Sequence, residues 1–135
     1  MKNDLYFMIV DDETAIRKVN KMVLKNFYAD CRIDEGSDGT YILEHAFLPY
    51  DIIITDLNMP KLNGLNALIK IREKGINTPA LITTGNPQEV IPDIVYKKGA
   101  SYSVPQVYAA RLIIKPFFHY DLKNAIEDTL NLNRK

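Results

Sequence analysis

Apolar and polar positions come in blocks along this chain, and the period of the pattern switches from block to block. Leu5–Val10 is an unbroken apolar run, the mark of a short strand covered on both faces. Ile16, Val19, Val23, Leu24 and Phe27 follow at helical spacing and predict a first helix. Cys31–Glu35 reads as a second strand ended by Gly36, with Cys31 as a small buried residue. Tyr41, Ile42, His45 and Ala46 predict a second helix that stops near Pro49. Ile52–Asp56 is a third strand, with three isoleucines in succession. Leu65, Leu68, Ile69 and Arg72 give a third helix, with Gly75 as its C-terminal cap and Arg72 and Lys74 as a solvated end. Pro79–Thr84 is a fourth strand, and Pro87–Lys98 predicts a fourth helix in which Pro92 is an awkward resident. Ala110–Lys115 is a fifth strand, and Leu122, Ala125, Ile126, Thr129 and Leu130 form the stripe of a fifth helix. Asn131–Lys135 reads as a polar tail.

Strands alternating with helices in this way predict an α/β fold, a doubly wound five-stranded parallel sheet with helices on both faces. Sheets of this kind bind ligands outside the carboxyl ends of their strands. Residues at those ends become neighbours although they are far apart in sequence. Here they are Asp11 and Asp12, Asp56, Thr84 and Lys115. An acid at the end of the most apolar strand, Asp56, is the oddity that this arrangement explains.

Composition narrows the classes. A chain of 135 residues is long enough for one domain with a real core and short for two. Lysine plus arginine equals aspartate plus glutamate, 17 each, so no basic excess marks a direct nucleic-acid binder. The single cysteine, Cys31, excludes a disulfide framework and a cysteine-based zinc site. No run approaches the ~18 apolar residues of a membrane span, and Leu5–Val10 is too short for a signal-peptide core. The expectation is a cytoplasmic protein that does not engage a membrane.

Four short motifs sit at four strand ends: "IVDDE" at Ile9–Glu13, "DLNMPKLNG" at Asp56–Gly64, "TTG" at Thr83–Gly85 and "KPF" at Lys115–Phe117. "GSDG" at Gly36–Gly39 fits the turn into the second helix. In this order, over essentially the whole chain, they resemble a response-regulator receiver domain, the flavodoxin-like phosphoacceptor half of two-component signalling. The resemblance implies Asp56 as phosphoacceptor and Mg²⁺ as cofactor. It implies Asp12 and Asp56 as direct metal ligands, the main-chain carbonyl of Asn58 as a third, and Asp11 acting mostly through water. It implies a phosphohistidine on a histidine kinase or a histidine phosphotransfer protein as donor, and a Lys115–Pro116 bond held cis. Such a protein accepts a phosphoryl group on itself and is not a turnover enzyme.

The residues support this chemistry independently. Three carboxylates at one sheet edge repel, and a pair ~4 Å apart costs about 4 kcal/mol at an effective dielectric of ~20. One acid would hold a proton unless a cation removes the conflict. Oxygen ligands without His or Cys suit Mg²⁺. A carboxylate can accept a phosphoryl group, and Lys115 can supply charge to the transferring group. Gly85 leaves room and a free N–H for a phosphate oxygen, and Thr84 offers a hydroxyl that can turn toward it. Read singly, Asp11 or Asp12 could equally be a helix N-cap.

Two departures from the family pattern stand out. The segment 99–110 between the fourth helix and fifth strand is long, and the aromatic expected three residues before the lysine is Leu112. Tyr102, Val104, Val107 and Tyr108 in that segment are groups a solvated loop does not need. They read as a contact for a downstream partner or for self-association, beside an output face made by the fourth helix, fifth strand and fifth helix. A passive insertion is the alternative. As a whole, residues 1–135 read as a single receiver domain, either a stand-alone regulator or the receiver of a longer one. A phosphate-independent interaction module is a second reading. A phosphohydrolase of the haloacid dehalogenase type is a third, disfavoured because Asp56 is followed two residues later by Asn58 rather than an acid.

Overall fold

The computed structural model describes residues 4–92 and 95–133. Its centre is a six-stranded sheet in the order β2-β1-β3-β4-β6-β5. The strands are β1 (Tyr6–Val10), β2 (Arg32–Gly36), β3 (Ile52–Asp56), β4 (Ala80–Thr84), β5 (Ser101–Ser103) and β6 (Ala110–Ile114). All neighbours are parallel except β5, which pairs antiparallel with β6. The expected α/β architecture is therefore present, with one strand more than the pattern predicted. Ser101–Ser103 escapes a sequence reading because it is short, sits at an edge and carries no apolar alternation.

Side chains of the inner strands alternate between two cores. Phe7, Ile9, Ile52, Ile54, Leu81 and Ile113 pack under α1 (Thr14–Phe27) and the last helix (His119–Leu130). Tyr6, Met8, Val10, Ile53, Ile82 and Leu112 face α2 (Gly39–His45) and α3 (Gly64–Glu73). Gly75 ends α3 as the pattern predicts: its φ is 82°, its N–H donates to Arg72 O at 2.9 Å, and Ile76 N–H reaches Ile71 O at 3.0 Å.

The fourth helix is the main correction. Pro87–Glu89 forms one 3₁₀ turn, and the described residues from Val90 to Ala100 carry no helix. Ile91 N–H still reaches Pro87 O at 2.9 Å, but Pro92 has no N–H to continue the ladder, and its ring disfavours helical backbone at Ile91. Asp93 and Ile94 of the expected helix lie outside the described residues, as do Arg134 and Lys135 of the expected tail. The last helix is accordingly α4 (His119–Leu130).

A strap of irregular chain takes the missing helix's place over the sheet. Val90, Val104 and Val107 are 1%, 3% and 5% exposed and join the α2–α3 core. Tyr96 and Tyr102 meet edge to face with centroids 5.3 Å apart, and Tyr102 lies directly opposite Leu112 across the β5–β6 pair. Tyr96 donates its hydroxyl to Ile91 O, Tyr102 accepts from Lys97 N–H, and Gln106 donates to Val90 O. Of the four residues read as contact groups, Val104 and Val107 are buried, Tyr102 is half-buried, and only Tyr108 is exposed. The segment's hydrophobicity serves the core.

Arg72 is a second correction. It is no solvated helix end: its guanidinium donates to Tyr108 O (2.7 Å), Ile76 O (2.8 Å) and Thr78 O (2.7 Å). Burial pulls its pKa down to about 10, which leaves it charged at neutral pH. This one cation fastens α3, the turn into β4 and the strap together.

Candidate functional site

The parallel register brings the sequence-predicted residues to one edge. Val10 lies beside Thr55, Asp56 beside Thr83, and Thr84 beside Ile114, so the chain leaves β1, β3, β4 and β6 at nearly one level. Asp11, Asp12 and Asp56 present carboxylate oxygens within 4.8 Å of one another. Lys115 Nζ stands 3.2 Å from Asp56 Oδ1. Thr84 is buried at the end of β4, and Gly85 is exposed just beyond it.

Local structure aims each group. Asp56 Oδ1 accepts from Leu57 N–H at 2.9 Å as well as from Lys115, whereas no protein donor among the described residues reaches Oδ2. The β3–α3 loop folds back over the strand end: Gly64 N–H donates to Leu57 O at 2.9 Å, and a Cβ on Gly64 would stand 2.4 Å from Asp56 O. Only glycine allows that approach. Asn58 is exposed in this loop. Thr84 Oγ1 accepts from Asn86 N–H at 2.9 Å, which leaves its hydroxyl proton free, and a Cβ on Gly85 would meet open space. The Lys115–Pro116 peptide is cis.

The electrostatics are those of a site short of positive charge. Asp11 is 2% exposed. Burial raises its pKa above 3.8, and the charges of Asp56 and Asp12 push the same way. A hydrogen bond from Glu13 N–H and the charge of Lys115 oppose them. One lysine faces three clustered acids, and the donor set is all oxygen. Those two features fit a hard divalent cation such as Mg²⁺.

Arg17 is part of this edge and has no counterpart in the sequence reading. It donates to the main-chain carbonyl of Asp11 (2.6 Å), to Glu35 Oε1 (2.9 Å) and to Thr14 Oγ1 (3.2 Å). The only signal in the sequence was a basic residue one turn past "DDE". Its main partner is a backbone carbonyl, which no residue pattern displays.

Comparison with known proteins agrees with this geometry. The family model for the response regulator receiver domain matches residues 7–127. The transcriptional regulatory protein CiaR of Streptococcus pneumoniae (strain ATCC BAA-255 / R6) is 31% identical over 128 residues, 95% of this chain and 52% of CiaR. The transcriptional regulatory protein ResD of Bacillus subtilis (strain 168) is 27% identical over 113 residues, 83% of this chain and 46% of ResD. The chain thus spans about half the length of these two relatives. In fold it is similar to the chemotaxis response regulator CheY4 of Vibrio cholerae, with a TM-score of 0.73, 22% identity, and 93% and 98% of the two chains covered. It is equally similar to the receiver domain of a sensor histidine kinase from Pseudomonas aeruginosa PAO1, solved with a magnesium ion coordinated in its active site cleft. There the TM-score is 0.73, the identity 20%, and the coverage 94% and 98%. Among the described residues no helix is long and apolar enough to cross a membrane. With its profile matched across nearly the whole chain and its acids and lysine gathered at one sheet edge, the chain belongs to the response regulator receiver domains of two-component systems.

Proposed function

We propose that residues 1–135 act as one receiver unit in which Asp56 accepts a phosphoryl group and the modified site changes affinity for a downstream partner. The observation that carries this reading is the asymmetry of Asp56: Oδ1 is held by Leu57 N–H and Lys115, while Oδ2 is free of protein donors among the described residues. A carboxylate fixed through one oxygen presents the other as a nucleophile of defined direction. That oxygen bonds to phosphorus as the bond from phosphorus to the donor's imidazole nitrogen breaks, and the imidazole leaves. The donor is a phosphohistidine of a histidine kinase or of a phosphotransfer protein.

Asp12 and Asp56, with the main-chain carbonyl of Asn58, would hold Mg²⁺, and Asp11 would act through water. When bound, the ion supplies positive charge to the acids and to the oxygens of the transferring group. Lys115 contributes a second positive charge at Oδ1 and, once Asp56 is modified, can follow a phosphoryl oxygen. Gly85 offers its N–H and open space to another oxygen, and the Thr84 hydroxyl has a proton to donate to it. An apolar cleft lined by Ile16, Val19, Pro116 and Phe117 runs up to Lys115 and gives a donor a surface beside the acceptor.

Output is expected through the face made by the strap, β6 and α4, this chain's version of the family's helix four, strand five and helix five. Tyr108 on the strap and Phe118 at the start of α4 are exposed, at 63% and 83%. Aromatic groups of this kind serve a downstream protein or a second copy. The intact acids and lysine favour this switch over a phosphate-independent module. The test is incubation with Mg²⁺ and phosphoramidate, a small donor with a phosphorus–nitrogen bond. One phosphoryl group should appear in the intact mass, and a chelator should prevent it. A protein that stays unmodified with Mg²⁺ present would sink the reading.

A further inference from the structure

We propose that Arg17 is a positioning residue for the metal site, acting through the peptide that joins Asp11 to Asp12. The inference rests on the metal reading above. Asp12 is exposed, and among the described residues no donor reaches its carboxylate. Only its backbone can aim it. That backbone begins with the Asp11–Asp12 peptide, whose carbonyl oxygen accepts from Arg17 Nη1 at 2.6 Å. Because a peptide unit is planar, holding its oxygen fixes the direction in which the Asp12 Cα leaves.

The rest of the network keeps Arg17 itself in place. Its side chain is 15% exposed, its Nε pairs with Glu35 at 2.9 Å, and its Nη2 donates to Thr14 Oγ1 at 3.2 Å. Glu35 also pairs with Lys21, and these partners hold its carboxyl below the usual range. Asp11 N–H donates to Gly36 O at 3.1 Å, and Asp11 Oδ1 accepts from Glu13 N–H at 2.9 Å. The Asp11 amide and carboxylate therefore have their own ties, and Arg17 supplies the tie to its carbonyl. The ladder of α1 begins at its N-cap, where Arg17 N–H donates to Glu13 O, and among the described residues no main-chain N–H reaches Asp11 O.

Sign separates this role from two simpler ones. Arg17 is a cation near a site meant for a cation. Deleting it should strengthen Mg²⁺ binding if its influence were purely electrostatic. If it were only a tie between α1 and β2, deletion should lower stability and leave metal affinity alone. Only a positioning role predicts weaker binding after removal of a positive charge.

The experiment is calorimetric titration of Mg²⁺ into the metal-free, unphosphorylated full chain. It compares the parent with Arg17→Ala, Arg17→Lys and Glu35→Gln, and follows amide hydrogen exchange at Glu13 alongside. Arg17→Ala should weaken Mg²⁺ binding about tenfold, the usual scale for losing a group that orients a ligand, while Glu35→Gln, which keeps an oxygen to accept Arg17 Nε and so leaves Arg17 in place, stays within about twofold. Arg17→Lys should fall between them, and exchange at Glu13, whose N–H donates to Asp11 Oδ1, should quicken in Arg17→Ala before any metal is added. If Arg17→Ala does not fold, Arg17→Lys must still bind more weakly than Glu35→Gln. Unchanged or tighter binding in the Arg17 variants overturns the proposal. A parent that binds no Mg²⁺ overturns the metal reading first, and this inference with it.

Discussion

Neutralising Asp11 should make the metal-free protein more stable. Asp11 is 2% exposed, the Asp56 side chain is 13% exposed, and their carboxylate oxygens lie within 4.8 Å. At that separation two unit charges repel by about 0.9 kcal/mol at a dielectric of ~80 and about 3.5 kcal/mol at ~20. Lys115, 3.2 Å from Asp56, offsets part of this. Asn in place of Asp11 removes the charge and keeps an oxygen that can accept Glu13 N–H. The net gain for Asp11→Asn at neutral pH in chelator should be about 1–2 kcal/mol, or roughly 3–8 °C in Tm for a chain of this size. The pH dependence has a definite sign. Asp11's folded pKa is raised above 3.8, so the parent bears the full penalty above that raised value. As pH falls through it, Asp11 takes up a proton and becomes isoelectric with Asn, so the variant's advantage shrinks and is gone below 3.8. Added Mg²⁺ should stabilise the parent more than the variant. Thermal melts of both proteins across pH, in chelator and in Mg²⁺, decide it. A variant that melts at or below the parent at neutral pH in chelator would refute the idea that the acids are mutually strained, and so would an advantage that survives at low pH.

Three other outcomes follow from the same contacts. Arg72→Ala strands three carbonyls and should cost about 3 kcal/mol in urea unfolding, and Arg72→Lys should recover only part, because a single ammonium cannot span Tyr108, Ile76 and Thr78. Val104→Ala should cost about 1–2 kcal/mol while exposed Tyr108→Ser stays within about 0.5 kcal/mol; equal effects would mean that the strap is not packed as described. Lys115→Ala should slow phosphorylation from a small donor by at least about tenfold, whereas Thr84→Ala should be modified at close to the parent rate yet lose the partner response. If Thr84→Ala blocks modification as fully as loss of Asp56, the hydroxyl has been misassigned.

What could be read from the sequence followed burial. Tyr6–Val10, Ile52–Asp56, Ala80–Thr84 and Ala110–Ile114 are inner strands, so they appear as apolar runs, and the residues at or just past their ends form the candidate site. The parallel arrangement follows from the alternation, and it puts Asp11, Asp12, Asp56, Thr84 and Lys115 together without further information. Two kinds of feature were hidden. The strap's core-packing residues, Val90, Tyr96, Tyr102, Val104 and Val107, have no fixed period, because irregular chain has none, and the sequence pattern of its first part predicts a helix instead. Pro92 was the warning. Arg17 and Arg72 were hidden for another reason: both work on backbone carbonyls, and a carbonyl looks the same in every residue. Leu112, where the family pattern expects an aromatic, is fully buried and paired with Tyr102 on β5, so the ring at this level of the sheet comes from the neighbouring strand.

The central claim is that Asp56 is the phosphoacceptor. Its most direct test maps the modification. The chain is treated with Mg²⁺ and phosphoramidate and then reduced with borohydride, which converts an acyl phosphate to the alcohol and marks the residue that carried it. The account predicts a single marked residue, Asp56, with no mark in Asp56→Asn or in chelator. A mark on Asp11, Asp12 or any other residue of the parent, or one that persists in Asp56→Asn, would contradict it.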